Sequence, residues 1–487
     1  MRARPHRSWS LSWSWSWIGA LCGLLAPVAC ATTSSWTPPT SRDTHDDPAS
    51  LRPGFGNEQL HTWWPLTPPE AAALEGVAQA KAGDAHALLA LAIAASGDRR
   101  DAATYADVTS RIDEFLAAEK PAIDAATDDW HKGYELNRAM HRQFFGGERT
   151  ELGSYDLNQA RLTGIFTTGH YNCLSSAVLY TVLARGFGLT VRAVAVPTHV
   201  FVEMGPPGGG GRPPIEIETT SDTGFDWVHD ARFYNEGAAR WSANRGLRPV
   251  TFDEYQHRKI IEPYQLMALA MRDGRAGNDD NDRRRLSELA ALVDPDDGEA
   301  QRARVQTIVN EAITLYDAKA SRTIVRMFDV VEPAMDAIGA VTHDGQTGQL
   351  VAWASWYYAN ALMIVGRTDE AMARAKDAFA RLDPSWPDVE KLRNNYAAIL
   401  NDRLCGLINT KDYAQALQVY AAYRDPCRAN QVCANNIAVV YGNQSIDAQN
   451  AGDWQSARAS LQQCTAEFPD AAACRDALAD LESRHRF

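Results

Sequence analysis

The spacing of apolar positions changes period twice along this chain. Between Thr67 and Phe145 the pattern is helical. Pro68-Pro69-Glu70 opens an alanine-rich stretch through Ala80, Ala85 to Ala95 continues it, and Ile112, Phe115, Leu116, Ile123 and Ala126 recur three and four apart. Residues 172–189 predict a further amphipathic helix, with Leu174, Val178, Val182 and Leu189 on or near one stripe and Gly186 and Gly188 closing it. The period then falls to two. Val191 to Met204 is rich in β-branched residues, Gly205 to Pro214 holds only Gly, Pro and Arg212, and Ile215-Glu216-Ile217-Glu218 alternates strictly. This predicts a strand, a flexible loop and a returning strand. After a loop around Asp226 the helical period returns near Pro263, and Arg275 to Arg284 forms a polar, Asp-rich linker.

From about Leu286 to the C-terminus the pattern is helical and carries an internal period. Gly366, Ala371, Ala375, Ala378 and Pro384 fall near the offsets of the second helix of a tetratricopeptide repeat. The frame recurs as Tyr413, Ala416, Tyr420 and Tyr423, and again as Gly452, Trp454, Ala457, Leu461, Cys464 and Pro469. The steps from Gly366 to Lys411 to Gly452 exceed the roughly 34 residues of that repeat, which implies lengthened helices. Small residues at these positions also suit close packing in a generic helical bundle, which stays open as the alternative.

The N-terminus reads differently. Arg2, Arg4, His6 and Arg7 precede a Trp/Ser ladder, and Ile18 to Ala29 is a short apolar run, the layout of a secretory signal. The run is shorter than the roughly 20 residues a membrane-spanning helix needs. It ends in Ala26-Pro27-Val28-Ala29-Cys30, which resembles a bacterial lipoprotein signal with Cys30 as the lipidated residue; ordinary cleavage at Ala29-x-Ala31 is the alternative. Residues 1–30 are thus expected to be a signal peptide and residues 31–60 a tether rich in Ser, Thr, Pro and Asp. The expected product is exported, periplasmic or anchored at the outer membrane, and meets a membrane only through a lipid on Cys30.

Length and composition narrow the function. With 487 residues the chain has room for two or three folding units. Lys and Arg number 48 against 61 Asp and Glu, a net charge of -13, which excludes general nucleic-acid affinity. The signal carries three Arg and no acid, so its removal makes the balance more acidic still. The eight cysteines show no CxxC pair and the twelve histidines no HxxxH pair, so no metal site is expected, and no cofactor. Gly208 to Gly211 is no phosphate loop, because no Lys-Ser/Thr and helix follow; it reads as a mobile hairpin tip beside the site.

The segment Thr168-Gly169-His170-Tyr171-Asn172-Cys173-Leu174-Ser175-Ser176 carries the candidate chemistry. Cys173 is expected at the first turn of its helix, where unpaired amides and the helix dipole favour an anion and lower a thiol's pKa. Downstream, Pro197-Thr198-His199-Val200-Phe201-Val202-Glu203 puts His199 in a strand, from which its ring could take the thiol proton. Glu218, on the returning strand, could pair with His199 and fix its tautomer. Glu216, Asp222 and Asp226 are the nearby rivals for that acid. The Cys173 backbone amide is the natural oxyanion donor, and no side chain is assigned to that role.

Asn172-Cys173-Leu174-Ser175, Leu183-Ala184-Arg185 with Gly188-Leu189, Pro197 to Val202 and Ile217-Glu218-Thr219-Thr220 resemble the transglutaminase-like superfamily. The likeness is greatest to bacterial members joined to tetratricopeptide repeats, and Asp156-Leu157-Asn158 is similar to their pre-core segment. The resemblance implies an α+β fold: a helical lead-in and papain-like core over residues 61–274, with the helix bearing the Cys packed on a small antiparallel sheet, then all-α repeats over 285–487. It implies Cys173 as nucleophile, His199 as general base and acid, and Glu218 as orienting acid. The implied reaction is acyl transfer through a thioester, as peptidase or amidase with water and as transamidase with an amine. Protein or peptide substrates and a protein partner on the repeats would follow. The competing reading is a non-catalytic scaffold in which only the repeats act. With Cys22 in the signal, Cys30 the anchor and Cys173 reduced, Cys427 with Cys433 and Cys464 with Cys474 are the expected disulfides in an oxidising compartment, leaving Cys405 unpaired.

Overall fold

The computed structural model describes residues 63–97, 101–145, 155–205, 213–238, 249–273, 280–341, 345–485 and 487. The proposed signal, tether and Cys30, most of the glycine-rich loop and the first part of the 275–284 linker lie outside the described residues. What is described is mostly helical, with one small antiparallel sheet, an α+β arrangement. Two compact units divide between Leu392 and Arg393.

The unit within residues 38–392 is organised around the helix Cys173–Gly186. Ala177, Leu179, Tyr180, Val182 and Leu183 are fully buried, so the single apolar stripe expected from sequence understates a helix covered on every side. It packs on two strands and on the helices Ala85–Ser96, Asp129–Phe144, Leu162–Thr168 and Pro263–Asp273. Its N-cap is Asn172, whose Oδ1 accepts from the amides of Leu174 at 2.9 Å and Ser175 at 3.0 Å.

The sheet comprises β1 (Val191–Val196), β2 (His199–Met204), β3 (Ile215–Ile217) and β4 (Lys259–Ile261) in the order β3-β2-β1-β4. The stretch Val191 to Met204, read from sequence as one strand, is a hairpin. Pro197 has no amide to donate and Thr198 adopts φ 66°, so the chain reverses and His199 opens β2 directly opposite Val196. β4 is only three residues long, too short for a periodic signal. Alternation sorts the two faces. Ala193, Val200, Val202 and Ile217 join the main core with the Cys173 helix, whereas Val194, Val196 and Phe201 pack with Tyr234, Val250 and Tyr255.

The polar segment 275–284 is not a linker throughout. From Asp280 it is helical, continuing to Val293, because Arg284 pairs with Glu311 at 2.6 Å and the next residue, Arg285, forms a buried ion pair with Glu70. Glu70 and Arg285 are 1% and 2% exposed, so each charge needs the other. The helices from Asp280 to Leu392 fall in the same compact unit as the sheet.

One turn recurs through the helical part. Lys319, Gly366, Lys411 and Gly452 have φ of 58°, 87°, 59° and 75°. After each, the next amide donates to the carbonyl five residues back: Ala320 to Leu315 at 2.8 Å, then Arg367 to Leu362, Asp412 to Leu407 and Asp453 to Ala448, all at 2.9 Å. This is a Schellman-type helix stop, and a second helix follows at once. Three of the four mark the period legible in sequence; Lys319 is a further copy and, like Lys411, holds the left-handed backbone without glycine.

In the unit comprising residues 393–487, Cys427 is bonded to Cys433 and Cys464 to Cys474, the expected pairs, with Cα separations of 5.1 and 6.1 Å. Cys405, expected to be unpaired, is disulfide-bonded as well. Among the described residues Cys173 is the one free cysteine.

Candidate active site

Cys173 is the first residue of its helix, so its backbone amide is one of the orphan donors of the N-terminal turn. Its thiol lies beside His199 and the Val200 backbone amide, near enough for both to act on its charge. His199 Nε2 lies 2.7 Å from Glu218 Oε2. With Nε2 held by the carboxylate, Nδ1 is the ring nitrogen left to serve the thiol, and one imidazole stands between sulfur and carboxylate. All three residues named from sequence therefore come together.

The electrostatics follow from this geometry. Burial pushes the Cys173 thiol up, but the hydrogen bond and charge of His199, with the Val200 amide, bring it below its ordinary value. Burial would depress His199, and the Glu218 charge with hydrogen bonds to Cys173 and Glu218 lifts it well above its ordinary value. Burial also acts against the Glu218 carboxylate; the His199 charge, its hydrogen bond and that of Thr220 hold it down at about 2. Opposite shifts on sulfur and imidazole favour a thiolate–imidazolium pair beside the Glu218 carboxylate.

Glu218 is fixed from several sides. It is 7% exposed, and its Oε1 accepts from Thr220 Oγ1 at 2.6 Å. A tight turn follows, in which Glu218 N donates to Gly224 O at 2.8 Å and Ser221 N donates to Glu218 O at 3.2 Å. A Cβ on Gly224 would stand 2.1 Å from the Glu218 carbonyl oxygen, so only glycine fits there. The turn is tied to neighbouring helices by Ser176 Oγ with Thr219 Oγ1 at 2.8 Å and by His141 Nε2 donating to Thr219 O at 3.1 Å. Burial lowers His141 to about 4, so it is neutral near pH 7 and serves as a fixed donor.

The rivals for the acid are engaged elsewhere. Glu216 Oε2 lies 2.7 Å from His229 Nδ1, and its Oε1 accepts from the Tyr255 hydroxyl at 2.6 Å. Asp226 accepts from Trp130 Nε1 at 3.2 Å. Asp222 flanks His141 and Tyr171, and its backbone carbonyl accepts from Asn137.

Tyr155 is the site residue that sequence reasoning missed. Its side chain lies beside Cys173, close enough to couple to the thiol, and lines the same cleft. The only signal was its place directly before Asp156-Leu157-Asn158.

The site opens into a cleft of about 1570 Å³. Tyr155, Leu157, Asn158 and Arg161 line one part, the exposed Pro197–Thr198 turn another, and Lys259, Arg272, Asp294 and Asp297 a third. Such a mixed wall suits a substrate with a polar backbone better than a purely apolar molecule. Among the described residues no group of three His, Cys, Asp or Glu is arranged to hold a metal ion. Compared with known proteins, the chain matches no family model, no curated protein and no solved structure.

Proposed function

We propose that this protein is an exported thiol enzyme that transfers acyl groups from amide or peptide bonds through a thioester on Cys173. The observation that carries the proposal is the linked set of a helix-start thiol, an imidazole in contact with it, and a buried carboxylate on the far ring nitrogen. In this reading the sheet-bearing unit is a transglutaminase-like core. The thiolate attacks the carbonyl carbon, and the His199 imidazolium delivers its proton to the departing nitrogen. His199 then activates the water or amine that releases the acyl group, with Glu218 holding the ring in one tautomer throughout.

The recurrent helix–turn–helix hairpins fit tetratricopeptide-like repeats that bind a protein substrate or partner. The disulfides Cys427–Cys433 and Cys464–Cys474, among others, support export to an oxidising compartment, with a lipid on Cys30 as the proposed anchor. No helix among the described residues is long and apolar enough to cross a membrane. The test is labelling with iodoacetamide and a panel of acyl and peptide probes, comparing wild type with Cys173→Ala. Cys173 is expected to alkylate faster than a free model thiol at pH 7. A slower reaction, with no acyl probe captured, would leave only the scaffold reading.

A further inference from the structure

The oxygen of an attacked carbonyl needs hydrogen-bond donors, and sequence supplied only one candidate, the Cys173 amide. The geometry points to Tyr155 as a second: its phenolic O–H joins the Cys173 backbone N–H in binding the substrate carbonyl oxygen as that oxygen becomes negative. This inference rests on the thiol-enzyme reading and adds a catalytic residue to it.

Tyr155 lines the cleft with Asn172 and Cys173, and its bridge to Tyr171 sets it beside the residue that carries the sulfur and the first helical amide. That is the position an oxyanion donor must occupy, within reach of the bond being formed and of the other donor. The residue is also held rigidly. It forms a parallel bridge with Tyr171, and the two rings meet edge to face at 5.9 Å. Asp156 N donates to Tyr171 O at 2.9 Å, Asn172 Nδ2 to Leu157 O at 3.1 Å, and Ser175 Oγ to Gln159 O at 2.8 Å. The segment following Tyr155 is thus stitched to the segment that carries the nucleophile, and hydroxyl and thiol keep their spacing without depending on a distant loop.

Burial, then the charge and hydrogen bond of Cys173, push the Tyr155 hydroxyl well above its ordinary value. It keeps its proton at neutral pH and can donate to a negative oxygen. In the step itself a sulfur lone pair forms the C–S bond while the carbonyl π pair moves onto oxygen. Tyr155 and the Cys173 amide stabilise that oxyanion. Its collapse restores C=O and expels the leaving group, which takes its proton from His199 when it is an amine and departs as the free anion when it is p-nitrophenolate.

The experiment compares two reagents on the full chain. p-Nitrophenyl acetate acylates Cys173 through an oxyanion; iodoacetamide alkylates the same sulfur by direct displacement and forms none. For Tyr155→Phe, acylation is expected to fall on the order of 100-fold, while alkylation, which also reports that the site is folded, changes less than about threefold. Tyr155→Trp, which retains an N–H donor, is expected to recover part of the acylation. Acylation that is unchanged in Tyr155→Phe, or that falls in parallel with alkylation, overturns the role of Tyr155 alone. A wild-type Cys173 that accepts neither reagent overturns the thiol-enzyme reading and this inference together.

Discussion

Two imidazole–carboxylate pairs occupy the same small sheet, and only one belongs to the site. His199 with Glu218 and His229 with Glu216 have the same N···O separation of 2.7 Å. Both carboxylates lie on one side of the β3 segment, two residues apart, and Glu216 stands opposite Glu203 across the ladder. Their surroundings differ. His229 has a fully buried side chain, stacks on Phe201 at 4.1 Å, and shares Glu216 with the Tyr255 hydroxyl. His199 lies at the turn end of the hairpin, where the ring meets a thiol and a cleft. The pair itself is therefore no mark of function. What separates them is the third partner: a phenol that locks one pair into the interior, or a sulfur that the other can charge.

The sharpest test of that contrast is to remove the sulfur. Cys173→Ala is expected to abolish acylation and alkylation at the site while the His229 end stays folded, as mass spectrometry of labelled protein and a melting curve would show. Next, Glu218→Gln and Glu216→Gln exchange the same group at the two ends. The first is expected to slow acylation on the order of 100-fold. The second is expected to leave the rate within about threefold and instead lower stability by about 1 to 3 kcal/mol, since a buried hydrogen-bonded carboxylate is lost. Equal kinetic losses in both would dissolve the distinction.

The pH dependence follows from the shifts. The thiol lies below its ordinary value, so alkylation should persist to lower pH than for a free cysteine and fall only as the thiolate is protonated. Glu218 titrates at about 2 and stays ionised throughout that range, so the acid limb belongs to the sulfur. In Glu218→Gln the imidazolium loses its counter-charge and the thiol rises, so the rate should drop more at pH 6 than at pH 9. Gly224→Ala should act on one end only. The new methyl meets the Glu218 carbonyl, costing about 1 to 3 kcal/mol and displacing the carboxylate. The smallest effect lies far from both pairs. Lys411→Gly relieves a left-handed backbone and is expected to add about 0.5 to 1 kcal/mol of stability with no change in labelling.

Much of this was legible because local signals were strong. A polar N-cap followed by Cys and an apolar run marks a helix start, and Ile215 to Glu218 marks a strand by alternation. The cysteine pairs 427 with 433 and 464 with 474 were legible from closeness in the chain. The hairpin at Pro197–Thr198 was not, because a β-branched residue at positive φ is a conformation that composition argues against. Tyr155 was not either, since nothing local says that its hydroxyl will return to a sulfur on a later helix. The helical start at Asp280 was hidden by polar residues that are paired, not solvated: Arg285 finds Glu70 far along the chain.

The sequence by itself determined the candidate nucleophile and base and their order, because each sits in an element that its own neighbours specify, and it confined the acid to the strand that follows. It also determined the spacing of the helix stops, since glycine at two of them meets a backbone requirement. Only the tertiary structure decided which of two equivalent glutamates serves His199. Residues two apart on a strand share a face, so no local rule can separate them, and the choice fell to His229 and Tyr255 arriving from distant segments to claim Glu216. It likewise decided that Tyr155 stands over the sulfur, because that contact depends on where two separate segments are stitched together.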